Sequence, residues 1–115
     1  MSLVYFSDEE VAGLKDPMPM MLDHARGFLG LPIRITFTNG GKHCGHSTHY
    51  EGLGADLGTG NLAVGFERDS YNYKLVIALV KAGFQRIEIC PDHVHADYGQ
   101  PPDYPQPVLI LGAEA

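Results

Sequence analysis

Apolar and polar positions divide the chain into segments with different periods. MPMMLDHARGFLG, residues 18–30, carries Met20, Met21, Ala25, Phe28 and Leu29 on one helical stripe and predicts a helix stopped by Gly30. PIRITFT, residues 32–38, alternates Ile33, Ile35 and Phe37 with polar partners, the two-residue period of a half-buried strand. Leu53 to Leu57 reads as a short strand in which Gly52 and Gly54 permit close backbone approach. DSYNYKLVIALVKAGF predicts a long helix capped by Asp69 or Ser70, ended by Gly83, with Tyr73, Val76, Ile77 and Val80 buried. FQRIEIC alternates Phe84, Ile87 and Ile89 as a strand, and HVHADYG forms another after the break at Pro91-Asp92.

The ends of the chain are less regular. Ser7 and Glu10 have capping-box spacing, which predicts a short helix from Asp8 to before Asp16-Pro17. Residues 39–51 have no periodicity and read as a loop. The proline-rich tail from 99 to 115 reads as an extended connector, with PVLILG as a final edge strand. Helices followed by strands around one long helix imply an α+β class, a small antiparallel sheet with helices packed on it, and not a doubly wound sheet.

A length of 115 residues allows one domain, residues 1–115, and 44% hydrophobic with 19% charged residues is the composition of an ordinary folded protein. The net charge is −6, and the eight lysines and arginines are scattered, which argues against nucleic acid or an anionic membrane surface as partner. No apolar run approaches the roughly 20 residues of a membrane span. MSLVYFSDEE lacks a basic stretch followed by an apolar one, so no signal peptide is expected. The two cysteines, Cys44 and Cys90, read as free thiols, since a core of this size needs no covalent staple.

The unusual chemistry sits in two stretches. HSTHYEGLGAD, residues 46–56, and PDHVHAD, residues 91–97, both combine histidine with carboxylate. His49 and Asp56 are seven residues apart with small residues between them, and His93 and His95 share one face of a strand. Three ligands drawn from such a set, with a fourth position open to water, form a catalytic zinc pattern, and a further polar group beside the water serves as general base. His24 reads as a helix residue, and His43 and His46 as solvent-facing loop residues. A structural zinc site built from Cys44, His46 or His49, and Cys90 ranks lower, because it leaves Asp56 and the His-x-His pair without a role and no Cys-x-x-Cys is present.

Ser47-x-His49-x-x-Gly52-x-Gly54-x-Asp56 resembles the S-x-H-x-x-G-x-A-x-D motif of the peptidase M15 family, with Gly54 where alanine is usual. His93-x-His95 resembles the H-x-H shared by the wider lysostaphin-like, D-Ala-D-Ala and hedgehog-type metallopeptidase folds, and the element order over residues 5–98 is similar. The resemblance implies a hedgehog/D-Ala-D-Ala-peptidase-like fold in which His49, Asp56 and His95 hold Zn²⁺. It implies that His93 is the catalytic residue, and Asp97 is expected to orient its histidine neighbour. It also implies a zinc metallopeptidase that cuts peptidoglycan peptides, as a D-Ala-D-Ala carboxypeptidase or an endolysin-type endopeptidase, through metal-activated water. The compartment is left open by the sequence; cytoplasmic synthesis with phage-type release to the cell wall is one setting the resemblance allows.

Many members carry S-G-Y-R at the end of the first strand. Here that stretch is Thr36-Phe37-Thr38-Asn39, and Lys42 is the nearest cation expected to meet substrate. Ser47 of the motif and Tyr50 are the other candidate substrate contacts, with Tyr98 and Tyr71 or Tyr73 as further walls of a cleft. The missing arginine favours a second reading, a metal-binding but catalytically weak domain of the same kind in a phage or wall-binding role.

Overall fold

The computed structural model describes residues 3–37, 52–98 and 108–111. His49, Lys42, Ser47, Tyr50, Cys44, His43 and His46 lie outside the described residues, as do residues 99–107 of the tail. The described chain is an α+β domain. Its elements run α1 (Met18–Leu29), β1 (Ile35–Phe37), β2 (Gly54–Gly58), α2 (Phe66–Ala82), β3 (Arg86–Ile89), β4 (His93–Asp97) and β5 (Val108–Leu111). The strands form one sheet in the order β1-β2-β4-β3-β5. The first four pair antiparallel, as expected, whereas β5 runs parallel to β3 with Arg86 opposite Val108, which makes the sheet mixed.

Both helices end where a glycine takes over. Gly30 and Gly83 adopt left-handed φ values of 72° and 99° and return their N–H groups to the last turn. Between β2, β4 and β3 the register is continuous, and Asp56 pairs with His95, which in turn pairs with Glu88. Because strand side chains alternate, one face of the sheet carries Ala55, Leu57, Ile87, Val94 and Ala96, all buried. These join Met18, Leu22, Ala25, Leu75 and Leu79 of the helices in a single core. The opposite face carries Asp56, Arg86, Glu88, His93, His95 and Asp97.

Four local expectations are corrected. Residues 8–13 form turns instead of a helix, although the capping box does form: Ser7 N–H donates to Glu10 Oε1 at 2.9 Å, and Glu10 N–H donates to Ser7 Oγ at 3.2 Å. Gly13, at φ +90°, breaks the chain before the several turns that a helix needs to propagate. The long helix begins at Phe66, so Asp69 and Ser70 lie inside it and Gly65 precedes it; Glu67 and Asp69 favour its first turn through the helix dipole. Its buried face is Asn72, Leu75, Ala78 and Leu79, while Tyr73 is 70% exposed and Ile77 and Val80 are also exposed. Apolar residues run round most of this helix, so period alone leaves two candidate faces. The one with small Ala78 is the one that meets α1. Phe28 of the α1 stripe is likewise exposed, and buried Asp23 takes an inward place, accepting the N–H groups of Val4 at 3.1 Å and Tyr5 at 2.8 Å.

Candidate metal centre

The site is built on β2 and β4, both interior to the sheet. The three positions of β2 that face the polar side are Gly54, Asp56 and Gly58. A Cβ on Gly58 would meet Thr36 Cγ2 at 2.6 Å and Arg34 Nη2 at 2.7 Å, so glycine leaves room for both side chains. Gly52 of the motif has φ +75°, and its carbonyl accepts Lys15 N–H at 2.8 Å, tying the start of the segment to the turn at 13–15.

Asp56 and His95, 39 residues apart, are brought together by the cross-strand pair. Asp56 Oδ1 lies 3.2 Å from His95 Nδ1, and both side chains are buried. The other ring nitrogen of His95, Nε2, lies 2.6 Å from Asp97 Oδ2. Asp97 also accepts from Arg86, at 2.7 Å from Nη2 and 3.0 Å from Nε, and Arg86 Nε lies 3.2 Å from Glu88 Oε1. A row of buried charge thus runs from Glu88 through Arg86, Asp97 and His95 to Asp56. Burial works to lower the basicity of His95, but hydrogen bonds to Asp56 and Asp97 and the charges of Asp97 and Glu88 outweigh it. The result is a pKa raised to about 9, so that without a metal both ring N–H groups donate to carboxylates.

His93 sits one pleat further along the same face. Its Nε2 is 3.9 Å from Asp56 Oδ1, its Nδ1 is 2.8 Å from Asp92 Oδ1, and its side chain keeps 12% exposure. The hydrogen bond from His93 holds the Asp92 carboxyl below its usual range. An Nδ1–H donating to Asp92 makes Nε2 the basic nitrogen of the ring, on the side of Asp56.

Asp56, His93, His95 and Asp97 are together; His49, Lys42, Ser47 and Tyr50 lie outside the described residues. Among the described residues no group of three His, Cys, Asp or Glu side chains is arranged to hold a metal ion. The described pair nevertheless suits one, since two donors on a tetrahedral zinc lie roughly 3.3 Å apart and Asp56 Oδ1 and His95 Nδ1 have that spacing. The nitrogen-and-oxygen character of the pair matches zinc, and Asp97 holds the far ring nitrogen as a carboxylate behind a ligating histidine does.

Compared with protein-family models, characterised proteins and solved structures, the chain matches none.

Two members of the buried row, Arg86 and Glu88, were not singled out from the sequence. The signal was present in Arg86-Ile87-Glu88-Ile89: once the isoleucines face the core, the charged pair must share the face of His95. Cys90 corrects another expectation, being disulfide-bonded and not a free thiol. The chain's other cysteine, Cys44, lies outside the described residues. Of the expected cleft tyrosines, Tyr73 faces solvent and Tyr98 packs against the core, while Tyr71 lines a cavity near Gly58.

Proposed function

We propose that the chain is a zinc-dependent peptidase that hydrolyses peptide bonds of peptidoglycan, as a D-Ala-D-Ala carboxypeptidase or an endolysin-type endopeptidase. The observation that carries this reading is the meeting of Asp56 and His95 at 3.2 Å, with the far side of the ring held by Asp97. Asp56 Oδ1 and His95 Nδ1, with His49 of the motif, would hold the metal. Bound there, zinc supplies Lewis-acid polarisation of an amide carbonyl and acidifies water. The protein's own contribution to proton transfer falls to His93. Asp92 fixes its Nδ1, so Nε2 takes the proton released by the attacking water and returns it to the departing amine. Its partial exposure keeps it within reach of a substrate.

A second reading, metal binding with weak or no catalysis, is favoured by one observation. Arg86, the buried arginine on this face, is engaged by Asp97 and Glu88 and cannot serve a substrate in place of the missing motif arginine. The two readings separate by experiment. Elemental analysis of purified protein should find stoichiometric zinc in wild type and in His93→Ala, and turbidity loss on purified cell walls should vanish in the variant alone. Zinc without lysis in wild type selects the second reading. Equal lysis by variant and wild type removes His93 from the mechanism, and protein without metal affinity overturns both.

A further inference from the structure

A cavity of about 470 Å³ opens where β1 and β2 meet the first turns of α2. Leu31, Leu62, Phe66 and Tyr71 form apolar walls, and the charged residues lining it are Arg34, Lys74 and Glu67. Two cations against one carboxylate leave a net charge of +1 here, in a chain whose total is −6. The volume falls within the range of small-molecule sites.

The cavity shares a strand end with the candidate metal centre. Gly58 is in its wall, pairs in register with His93, and lies two residues from Asp56 on the same face. Arg34 Nη2 occupies the space over Gly58, only 2.7 Å from where a Cβ would be. Its guanidinium is therefore set beside the Asp56–His93 side of the sheet, roughly one strand repeat of 7 Å along. The Tyr71 hydroxyl donates its proton to Pro32 O at 2.7 Å, so that proton is already engaged and Arg34 and Lys74 are the cationic donors lining the cavity. A planar, permanently charged donor at the mouth of an apolar cavity is suited to a carboxylate attached to an apolar body.

We infer that this cavity binds an amphiphilic carboxylate, a leucine- or phenylalanine-sized side chain next to a free carboxyl group, with Arg34 taking the carboxylate. Its further assignment, as the pocket for a bulky residue at or beside the C-terminus of a cleaved peptide, rests on the hydrolase reading. The binding itself does not.

The test uses the full chain in the presence of a chelator, with chemical shifts followed during titration with N-acetyl-phenylalanine, its amide and acetate. N-acetyl-phenylalanine should bind and shift the amides of Leu62, Phe66 and Tyr71. Amidation of the ligand should weaken binding roughly tenfold, as expected for the loss of a charge-assisted hydrogen-bonded pair. Arg34→Gln should weaken binding of the acid by a similar factor and leave the amide unchanged, and acetate should not saturate. Ser70→Trp, which fills the cavity from α2, should abolish binding while the circular dichroism spectrum is retained. Equal affinity for acid and amide, no effect of Arg34→Gln, or no binding of N-acetyl-phenylalanine would overturn the inference. Because metal is absent throughout, intact binding beside failed zinc-dependent lysis counts against the hydrolase reading alone, and failed binding beside intact lysis counts against this inference alone.

Discussion

Replacing Asp97 by asparagine tests whether the buried charge row holds the sheet together. The native carboxylate accepts from Arg86 at 2.7 and 3.0 Å and from His95 at 2.6 Å, with Arg86 1% and Asp97 0% exposed. All three contacts fall on Oδ2, so asparagine can set its carbonyl oxygen there and keep the shape, but it removes the negative charge that the guanidinium and the imidazole ring face. Breaking a buried ion pair from one side costs about 3–5 kcal/mol, because the remaining charge stays desolvated. Arg86 retains Glu88, 3.2 Å from its Nε, which places the expected loss at the lower end, about 3 kcal/mol. For a domain of this size that corresponds to roughly 12 °C in Tm. Urea denaturation followed by circular dichroism, with the disulfide kept oxidised, measures it. Arg86→Met with Asp97→Asn removes both charges together, and the double variant should be more stable than the sum of the two single losses by about 1–3 kcal/mol. A single variant within about 1 kcal/mol of wild type, or strictly additive losses, would refute the reasoning.

Groups away from this row give two more expected outcomes. Tyr71→Phe loses the hydrogen bond to Pro32 O and should cost about 1 kcal/mol at pH 8. Burial raises the Tyr71 phenol above its ordinary 10.0, against the lowering charges of Arg26 and Arg34, so its contribution is complete below pH 10 and declines above it; the advantage of wild type over the Tyr71→Phe variant should shrink by pH 11, and a constant gap would contradict the assignment. Cys90 is disulfide-bonded, so reduction should lower unfolding stability by about 2–4 kcal/mol, and a native protein whose Cys90 reacts with a thiol reagent before reduction would contradict the bond.

How much was legible in the chain depended on whether one local rule acted alone. Gly30 and Gly83 end helices where their places after the apolar stripes predict, because a left-handed cap is a property of the glycine itself. Strands β3 and β4 were legible from their period of two. The face of α2 was not, since two apolar stripes compete there and only packing against α1 selects Leu75, Ala78 and Leu79. The capping box of Ser7 and Glu10 formed without its helix, a case where a correct local signal was overruled a few residues later by Gly13. Asp56, His93 and His95 were marked by residue type. Arg86 and Glu88 were hidden by theirs, because charged residues in an amphipathic strand are ordinarily read as facing water.

The strand order β1-β2-β4-β3-β5 has a consequence for how this site responds to time and stress. Every backbone amide beneath Asp56 and His95 belongs to a strand flanked on both sides, so fraying at either margin does not reach them. Their amide protons should be among the slowest in the molecule to exchange with deuterium. The carboxylate and the imidazole would then keep their mutual placement through every opening short of complete unfolding. A ligand meeting this carboxylate and this imidazole would therefore find them pre-positioned, with no strand beneath them left to order on binding.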